Sequence, residues 1–255
     1  MSDPLPGARV LETFVNALDW AEVRKLLTDW ISAAESRYIC LCNVHSAVLA
    51  ESDLDYARVL ADADLVLPDG MPIAWVLRHR GYPAQPRIGG PDMMWACCED
   101  MAANGQRLFL YGSSQETLDR LVRNLQSCFP SLKIAGAISP PFRELDDHEE
   151  SAIVNRINES GASAVFVALG CPRQEAWMNK HRQDINAVMF GFGAAFDFHA
   201  GTLKRAPQWM QDSGLEWLHR LASEPGRLWR RYLVTNSRFL FSVFLSALRR
   251  SRTGY

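Results

Sequence analysis

Short apolar runs alternate with amphipathic stretches through residue 203 of the chain. The leucine-rich stretch 118–125 has helical spacing, and helices are also predicted over 47–62 and 146–160. Strands that alternate with helices form βα units, so we predict an α/β fold, with a Rossmann-like, mostly parallel sheet flanked by helices. The runs that predict buried strands are 38–42, 65–67, 107–111, 132–138, 164–169 and 187–190.

The pattern changes after Lys204, where tryptophan and leucine are interleaved with arginine. From Gly214 onward there are eight arginines and only two acidic residues. This composition is typical of helices with a basic face and not of further βα units. We therefore predict two parts, a Rossmann-like domain over residues 1–203 and a basic helical appendage over residues 204–255.

The longest apolar run in the appendage is residues 239–248, about half the ~20 residues that a membrane-spanning helix needs. Arg249, Arg250 and Arg252 follow it closely. This combination favours an amphipathic helix that lies on an anionic membrane surface. A purely structural alternative is a solvated helix face on which the aliphatic parts of the arginine side chains are packed. Binding of nucleic acid is a further alternative at this point, because aromatic and basic side chains are interleaved.

Composition and charge narrow these options. The 255 residues are 48% hydrophobic and 22% charged, with a net charge of -2, which gives no whole-chain signal for nucleic acid. The six cysteines form no CxxC pair, which disfavours zinc and thioredoxin-like sites. Reduced thiols and the lack of a signal-peptide core predict a cytoplasmic protein. We expect it to bind no nucleic acid and to associate peripherally with the inner face of the plasma membrane.

Polar residues and glycines follow most of the predicted strands. In a parallel sheet, ligands bind beyond the carboxyl ends of the strands, so we expect these residues to lie along one edge. They are Asn43, Asp69, Gly70, Gly112, Ser113, Gly170, Gln174, Glu175 and Gly193.

The stretch LVLPDGMPIAW places Asp69 between a short strand and a helix that Pro72 suits at its first turn. Asp-Gly is a common loop dipeptide, so Asp69 can be a turn residue. A carboxylate at this edge can equally be a catalytic base. The residues alone leave both interpretations open.

The stretch LYGSSQETLDRL carries Gly112 and Ser113 between a strand and a helix. Backbone N–H groups at such a turn can hold a phosphate. The spacing lacks the full dinucleotide-binding or Walker pattern, so an ordinary βα turn with Ser113 or Ser114 as the helix cap is the alternative.

In ALGCPRQEAWM, Gly170 ends a strand, and Gln174 and Glu175 fall in the first turn of the next helix. Amide and carboxylate groups in this position can contact sugar hydroxyls or a base edge. Simple helix capping is the alternative, because acidic residues are favourable near a helix N-terminus.

The stretch GFGAAFDFHAGTLKRAP combines Gly193, Asp197, His199 and the pair Lys204–Arg205. Glycine permits close backbone approach to a ligand, and the basic pair can meet a diphosphate. Asp197 can instead be a structural carboxylate that fixes the loop. For His199 we expect a structural hydrogen bond, since no second residue has metal-ligand spacing.

Two Asp-X-Asp pairs, at 53–55 and 62–64, have the form that holds a divalent metal in many nucleotide-sugar enzymes. The first lies inside a predicted helix and the second precedes a strand, at the wrong end for a ligand. We interpret both as surface residues and predict neither a metal nor a cofactor.

Together these stretches resemble the WecG/TagA/CpsF family of bacterial glycosyltransferases. The resemblance runs from about Tyr38 to Leu240 and rests on the Asn43 segment, the Asp69 and Gly112 segments, RIGGPDMM, LGCPRQEAW, the Gly193 loop and GLEWLHRLASEPGRLWRRYL. It implies an inverting transfer of a hexose, N-acetylhexosamine or uronic acid from a UDP-sugar to a sugar on undecaprenyl diphosphate. It also implies a role in cell-surface or extracellular polysaccharide synthesis, and no bound metal.

The resemblance assigns roles to particular residues. It makes Asp69 the general base, with Asn43 beside the same pocket and Gln174 and Glu175 as sugar or nucleotide contacts. A threonine that many members carry two positions before the asparagine is Leu41 here, and Ser46 is a candidate substitute. The candidates for diphosphate contacts from the appendage are Arg220, Arg227, Arg230 and Arg231.

Two other classes of function remain as alternatives. A non-catalytic nucleotide-binding module would keep the glycine turns but would not need Asp69. A dehydrogenase or methyltransferase would need a stronger glycine fingerprint and an acidic residue about twenty positions further on, and Asp119 is too close to Gly112 for that role. Neither the transferred sugar nor self-association follows from the residues.

Overall fold

The computed structural model describes residues 4–253, and the side chains of residues 227, 231 and 246–253 lie outside that description. The chain begins with a hairpin of β1 (Gly7–Val10) and β2 (Thr13–Asn16), followed by α1 (Trp20–Ser32). Asp19 and Glu22 form a reciprocal capping box at the start of α1. None of these three elements was predicted from the apolar pattern.

The central sheet has six strands in the order β4-β3-β8-β7-β5-β6, and every pair of neighbours is parallel. This arrangement confirms the predicted α/β fold. In chain order its strands and helices are β3 (Arg37–Cys42), α2 (Val44–Ser52), α3 (Leu54–Ala61), β4 (Leu65–Pro68), α4 (Met71–His79), α5 (Gly90–Asn104), β5 (Arg107–Gly112), α6 (Gln115–Cys128), β6 (Lys133–Ile138), α7 (Asp147–Glu159), β7 (Ala164–Ala168), α8 (Arg173–Lys180), β8 (Val188–Gly191) and α9 (Ala195–Ala200).

The sheet is covered on both faces. Ile39 and Leu41 of β3 join one apolar core with α1, α5, α6 and α9. Tyr38 and Cys40 join the opposite core with α2, α3, α4, α7 and α8. Successive side chains of a strand point to opposite faces, and a doubly covered parallel strand therefore reads as an unbroken apolar run.

The helix predicted over 47–62 is two helices, α2 and α3, that meet at Asp53. The Asp53 side chain accepts hydrogen bonds from the backbone N–H groups of Asp55 and Tyr56, and so caps α3. The single-helix prediction was wrong because the apolar pattern continues across the break, while the capping residue ends one helix and starts the next.

The C-terminal segment is helical, with α10 (Gln208–Asp212), α11 (Glu216–Ser223) and α12 (Pro225–Thr253). Helix α12 packs along α2, where Phe239 is buried and Ser242 Oγ donates to Glu51 Oε2 at 3.1 Å. Among the described residues, no helix combines the length and apolarity needed to cross a bilayer. The boundary at residue 203 stays a prediction.

Candidate active site at the carboxyl edge of the sheet

The turn that carries Asp69 is fixed from both sides. Strands β3 and β4 are neighbours in a register that pairs Cys42 with Pro68. The Asp69 N–H donates to the Cys42 carbonyl at 2.8 Å, and the Ile88 N–H donates to the Pro68 carbonyl at 2.9 Å. Gly70 follows with φ of 92°, a conformation that favours glycine. The carboxylate therefore projects from a rigid turn at the edge where ligands bind in such sheets.

The amide of Asn43 is oriented by the helix that it caps. Asn43 Oδ1 accepts from the N–H groups of His45 at 3.0 Å and Ser46 at 3.2 Å. With its oxygen occupied at the start of α2, the side chain presents Nδ2 to Asp69 Oδ2 at 3.5 Å. The Gly90 N–H approaches Asp69 Oδ1 at 3.4 Å. Both contacts to the carboxylate are long, so they orient it without strongly stabilising its charge.

The surroundings of Asp69 raise its pKa above the ordinary value of 3.8. Burial is the largest cause, and the negative charge of Glu216 acts in the same direction. The positive charge of Arg87 and the two long hydrogen bonds lower the pKa but do not cancel the rise. A carboxylate whose pKa is raised by burial accepts a proton more readily than an exposed one.

Next to Asp69 lies a chain of alternating charges, which we call the rim network and define as Glu216, Arg87, Asp92 and Arg205. Arg87 donates to Glu216 Oε2 at 2.7 Å and to Asp92 Oδ2 at 2.9 Å. Arg205 donates to Asp92 through both terminal nitrogens. Burial alone would raise the pKa of Asp92, but Arg205 and Arg87 bring it below its ordinary value.

Sequence reasoning found only Arg205 of this network. Arg87 and Asp92 flank the glycines of RIGGPDMM, and Glu216 lies in GLEWLHR. Opposite charges in both stretches were a usable signal, but nothing local indicated that the two stretches meet. Arg205, expected to face a diphosphate, has Asp92 as its partner here.

Gln174 and Glu175 lie in the interior beneath the same edge. Gln174 Oε1 accepts from the Gly170 N–H at 3.2 Å, while its Nε2 donates to Glu175 Oε1 at 2.9 Å. A Cβ atom at Gly193 would lie 3.1 Å from Gln174 Oε1, so this amide joins the turns that follow β7 and β8. Burial raises the pKa of Glu175, which is 1% exposed. Contact of this pair with a sugar or a nucleotide stays a prediction.

Comparison with known proteins assigns the chain to a family. The model of the WecG/TagA/CpsF glycosyl transferase family matches residues 8–253. The chain belongs to this family. A relative from Bacillus spizizenii (strain W23) is 31% identical over 226 residues, 86% of this chain and 86% of that protein. Another from Bacillus subtilis (strain 168) is 32% identical over 220 residues, 83% of this chain and 84% of that protein. Both are named N-acetylglucosaminyldiphosphoundecaprenol N-acetyl-beta-D-mannosaminyltransferase.

In this WecG/TagA/CpsF member, Leu41 is buried and packs toward Gly90, where an added Cβ would lie 3.0 Å from Leu41 Cδ1. The Ser46 hydroxyl lies 3.4 Å from Asn43 Oδ1. A hydroxyl therefore reaches Asn43 from α2 instead of from β3. That Ser46 replaces the threonine in acceptor binding stays a prediction.

The turn at Gly112 and Ser113 has the features of a tight βα connection. A Cβ atom at Gly112 would lie 2.4 Å from the Ala168 carbonyl oxygen, so glycine is required by the neighbouring strand. Ser114 caps α6 by accepting from the Thr117 N–H at 3.2 Å. These features account for both small residues, and phosphate binding at this turn stays a prediction.

The remaining predicted ligands lie in or near the appendage. The Thr202 hydroxyl donates to Asp197 Oδ1 at 3.3 Å, and this contact holds the residues that follow α9 against that helix. The Arg220 guanidinium lies 5.8 Å from the centre of the Phe198 ring, while Arg230 is exposed over Trp229. The side chains of Arg227, Arg231, Arg249, Arg250 and Arg252 lie outside the described residues.

The Asp-X-Asp carboxylates have structural partners. Asp53 caps α3, and Asp64 accepts from Arg37 at 2.7 Å. Asp62 pairs with Arg182 at 3.1 Å. Across residues 4–253, apart from the undescribed side chains, no group of three or more His, Cys, Asp or Glu residues is arranged to hold a metal ion.

Proposed function

We propose that this chain is an inverting glycosyltransferase that moves a hexosyl or N-acetylhexosaminyl group from a UDP-sugar to a sugar linked to undecaprenyl diphosphate. N-acetylmannosamine and a lipid-diphosphate-linked N-acetylglucosamine are the first donor sugar and acceptor to test, because the two Bacillus relatives carry these sugars in their names. The product would enter a cell-surface or extracellular polysaccharide.

One observation carries the catalytic part of the proposal. Asp69 is a half-buried carboxylate on a rigid turn, with two long hydrogen bonds of 3.4 and 3.5 Å and a raised pKa. These are the properties of a general base. A carboxylate that served only the turn would be expected to make short bonds to backbone N–H groups.

The reaction is a single displacement. The acceptor hydroxyl oxygen attacks the anomeric carbon from the face opposite the diphosphate, and the bond from that carbon to the UDP oxygen breaks. Asp69 takes the hydroxyl proton, and the electron pair of the broken bond stays on UDP. Attack from the opposite face inverts the anomeric centre. Arginines and backbone N–H groups near the site can stabilise the charge on the departing UDP.

The outer face of α12 supports peripheral membrane binding. Trp229, Leu233, Leu240 and Phe244 recur along one side of the helix and are 48–69% exposed. A lipid-linked acceptor keeps its diphosphate sugar at the membrane surface. An apolar helix face next to basic residues would hold the enzyme at that surface.

The test is a transfer assay with purified full-length protein and a water-soluble short-chain lipid-diphosphate-N-acetylglucosamine. UDP-N-acetylmannosamine, UDP-N-acetylglucosamine, UDP-glucose and UDP-galactose are supplied in parallel, and the anomeric configuration of the product is read by NMR. We expect acceptor-dependent UDP release with one of these donors and an inverted product. UDP binding without transfer from any donor would favour the nucleotide-binding module instead.

A further inference from the structure

Glu216 is a carboxylate of the appendage that reaches the rim of the proposed site. Its Oε2 lies 2.7 Å from Arg87 Nη1, and the two side chains are only 22% and 12% exposed. Arg87 also donates to Asp92 at 2.9 Å. Carboxylates on two sides thus occupy the guanidinium, and Asp69 is not among its hydrogen-bond partners.

The position of Glu216 is set by packing just before it. Gln211 Oε1 accepts from Arg87 Nη2 at 3.0 Å, and Gln211 Nε2 donates to the Ala206 carbonyl at 2.7 Å. Gly214 has φ of 69°, and a Cβ atom there would lie 2.8 Å from the Trp75 ring. The start of α11 is therefore held both to Arg87 and to the helix that follows the Asp69 turn.

The charged and titratable groups that face Asp69 come from four segments of the chain. Arg87 precedes α5, Arg205 follows α9, Glu216 begins α11, and the Cys42 thiol lies on β3, while Asp92 of α5 stands behind the two arginines. An arginine beside an ionised carboxylate forms an ion pair that lowers its basicity. Arg87 acts on Asp69 through its charge, and its ion pair is made with Glu216.

We propose that Glu216 is a positioning residue for the Asp69 base: it holds Arg87 away from Asp69 and so leaves that carboxylate free to accept a proton. The inference rests on the proposed function, because it concerns the same site. The negative charge of Glu216 also acts directly on Asp69 and raises its pKa, in agreement with this role.

The test compares Glu216→Gln, which keeps the side-chain length but removes the charge, with Glu216→Asp, which keeps the charge. Glu99→Gln is the matched control, since Glu99 also pairs with an arginine at 2.7 Å but lies away from Asp69. Full-length proteins labelled with ¹³C-aspartate are titrated by NMR, and the Asp69 carboxyl signal is assigned with Asp69→Asn. The pH dependence of the transfer rate is measured on the same variants, and its acid limb is compared.

We expect the Asp69 pKa and the acid limb to move to lower pH in Glu216→Gln, and to stay near the wild-type values in Glu216→Asp and Glu99→Gln. If the pKa of Asp69 is the same in Glu216→Gln as in the wild type, the inference is overturned. This holds even if the transfer rate falls, because a lower rate with an unchanged pKa indicates a purely structural contact. A wild-type protein that transfers no sugar would refute the proposed function, while the NMR titration would still decide the role of Glu216.

Discussion

At the scale of single residues, Asp69 is a carboxyl group in a place that disfavours its charged form. Burial and Glu216 oppose ionisation, and the hydrogen bonds from Asn43 and Gly90 are too long to compensate fully. Such a group makes the folded protein less stable and more reactive at once. Its catalytic and its energetic roles can therefore be measured on one variant.

Asp69→Asn is expected to reduce turnover by about 10²–10⁴-fold, the range typical for loss of a general base. The measurement is UDP release in the presence of acceptor. UDP affinity, measured by calorimetry, serves as the control and should stay close to that of the wild type. Near-normal turnover by this variant would remove Asp69 as the base.

The same substitution is expected to stabilise the fold at neutral pH. The folded-state pKa of Asp69 lies above its unfolded value, so the wild type loses stability as pH rises through the folded pKa. Asparagine carries no charge and escapes this loss. Thermal unfolding should show a higher Tm for Asp69→Asn at pH 7, with the advantage shrinking as pH approaches 3.8. An equal Tm difference at both pH values would contradict the prediction.

The sequence predicted part of the site at this scale. Two strand ends predicted that Asn43 and Asp69 lie at the same edge of the sheet, and the parallel register of β3 with β4 confirms it. That the two residues share one pocket was implied only by the family resemblance. Arg87 and Glu216 were not found, because a contact between residues 129 positions apart leaves no local pattern. Their charges are visible in the sequence but their pairing is a product of tertiary packing.

At the scale of elements, the turn between α10 and α11 is shaped by Gly214. Its φ of 69° favours glycine, and the Trp75 ring leaves no room for a Cβ atom. Gly201 has a similar φ of 73° but no neighbouring atom within 4 Å. Substitution of these two glycines therefore distinguishes the free-energy cost of the backbone conformation from the cost of a steric clash.

Gly214→Ala is expected to destabilise the protein by about 2–4 kcal/mol, because a clash of ~1–3 kcal/mol adds to a backbone cost of ~1 kcal/mol. Gly201→Ala should show only the backbone cost of ~1 kcal/mol. Urea unfolding of the two variants measures the difference. Equal destabilisation would mean that the turn does not pack on Trp75 in solution.

Element boundaries show where the sequence pattern is insufficient. The strands of the main sheet were predicted because a doubly covered strand is apolar throughout. The hairpin strands β1 and β2 have four residues each and were missed. The break between α2 and α3 was also missed, since Asp53 acts through a hydrogen bond that apolar periodicity does not report.

At the scale of the whole molecule, the exposed apolar face of α12 makes one side of the protein different from the others. Trp229, Leu233, Leu240 and Phe244 point outward, whereas Phe239 on the opposite side packs into the fold. The helix thus has one face for the protein and one for its surroundings. The predicted appendage is helical as expected, but its attachment through α2 and the rim network had no signal in the sequence.

Leu240→Glu is expected to weaken binding to vesicles that contain anionic phosphatidylglycerol by roughly tenfold or more, since burial of one leucine contributes ~1.5–3 kcal/mol. Leu54→Glu is the control, because Leu54 is equally exposed, at 73% against 69%, but lies on α3. Co-sedimentation measures both. Equal losses, or no loss in either, would show that the α12 face does not contact lipid.

The pairing of Arg87 with Glu216 also has a consequence for synthesis. A ribosome adds about 5–20 residues per second, so roughly 6–26 seconds separate the two partners, which lie 129 positions apart. During that interval the nascent chain already contains the proposed base and the arginine that would quench it. The rim network is therefore complete only in chains that have been synthesised as far as the appendage.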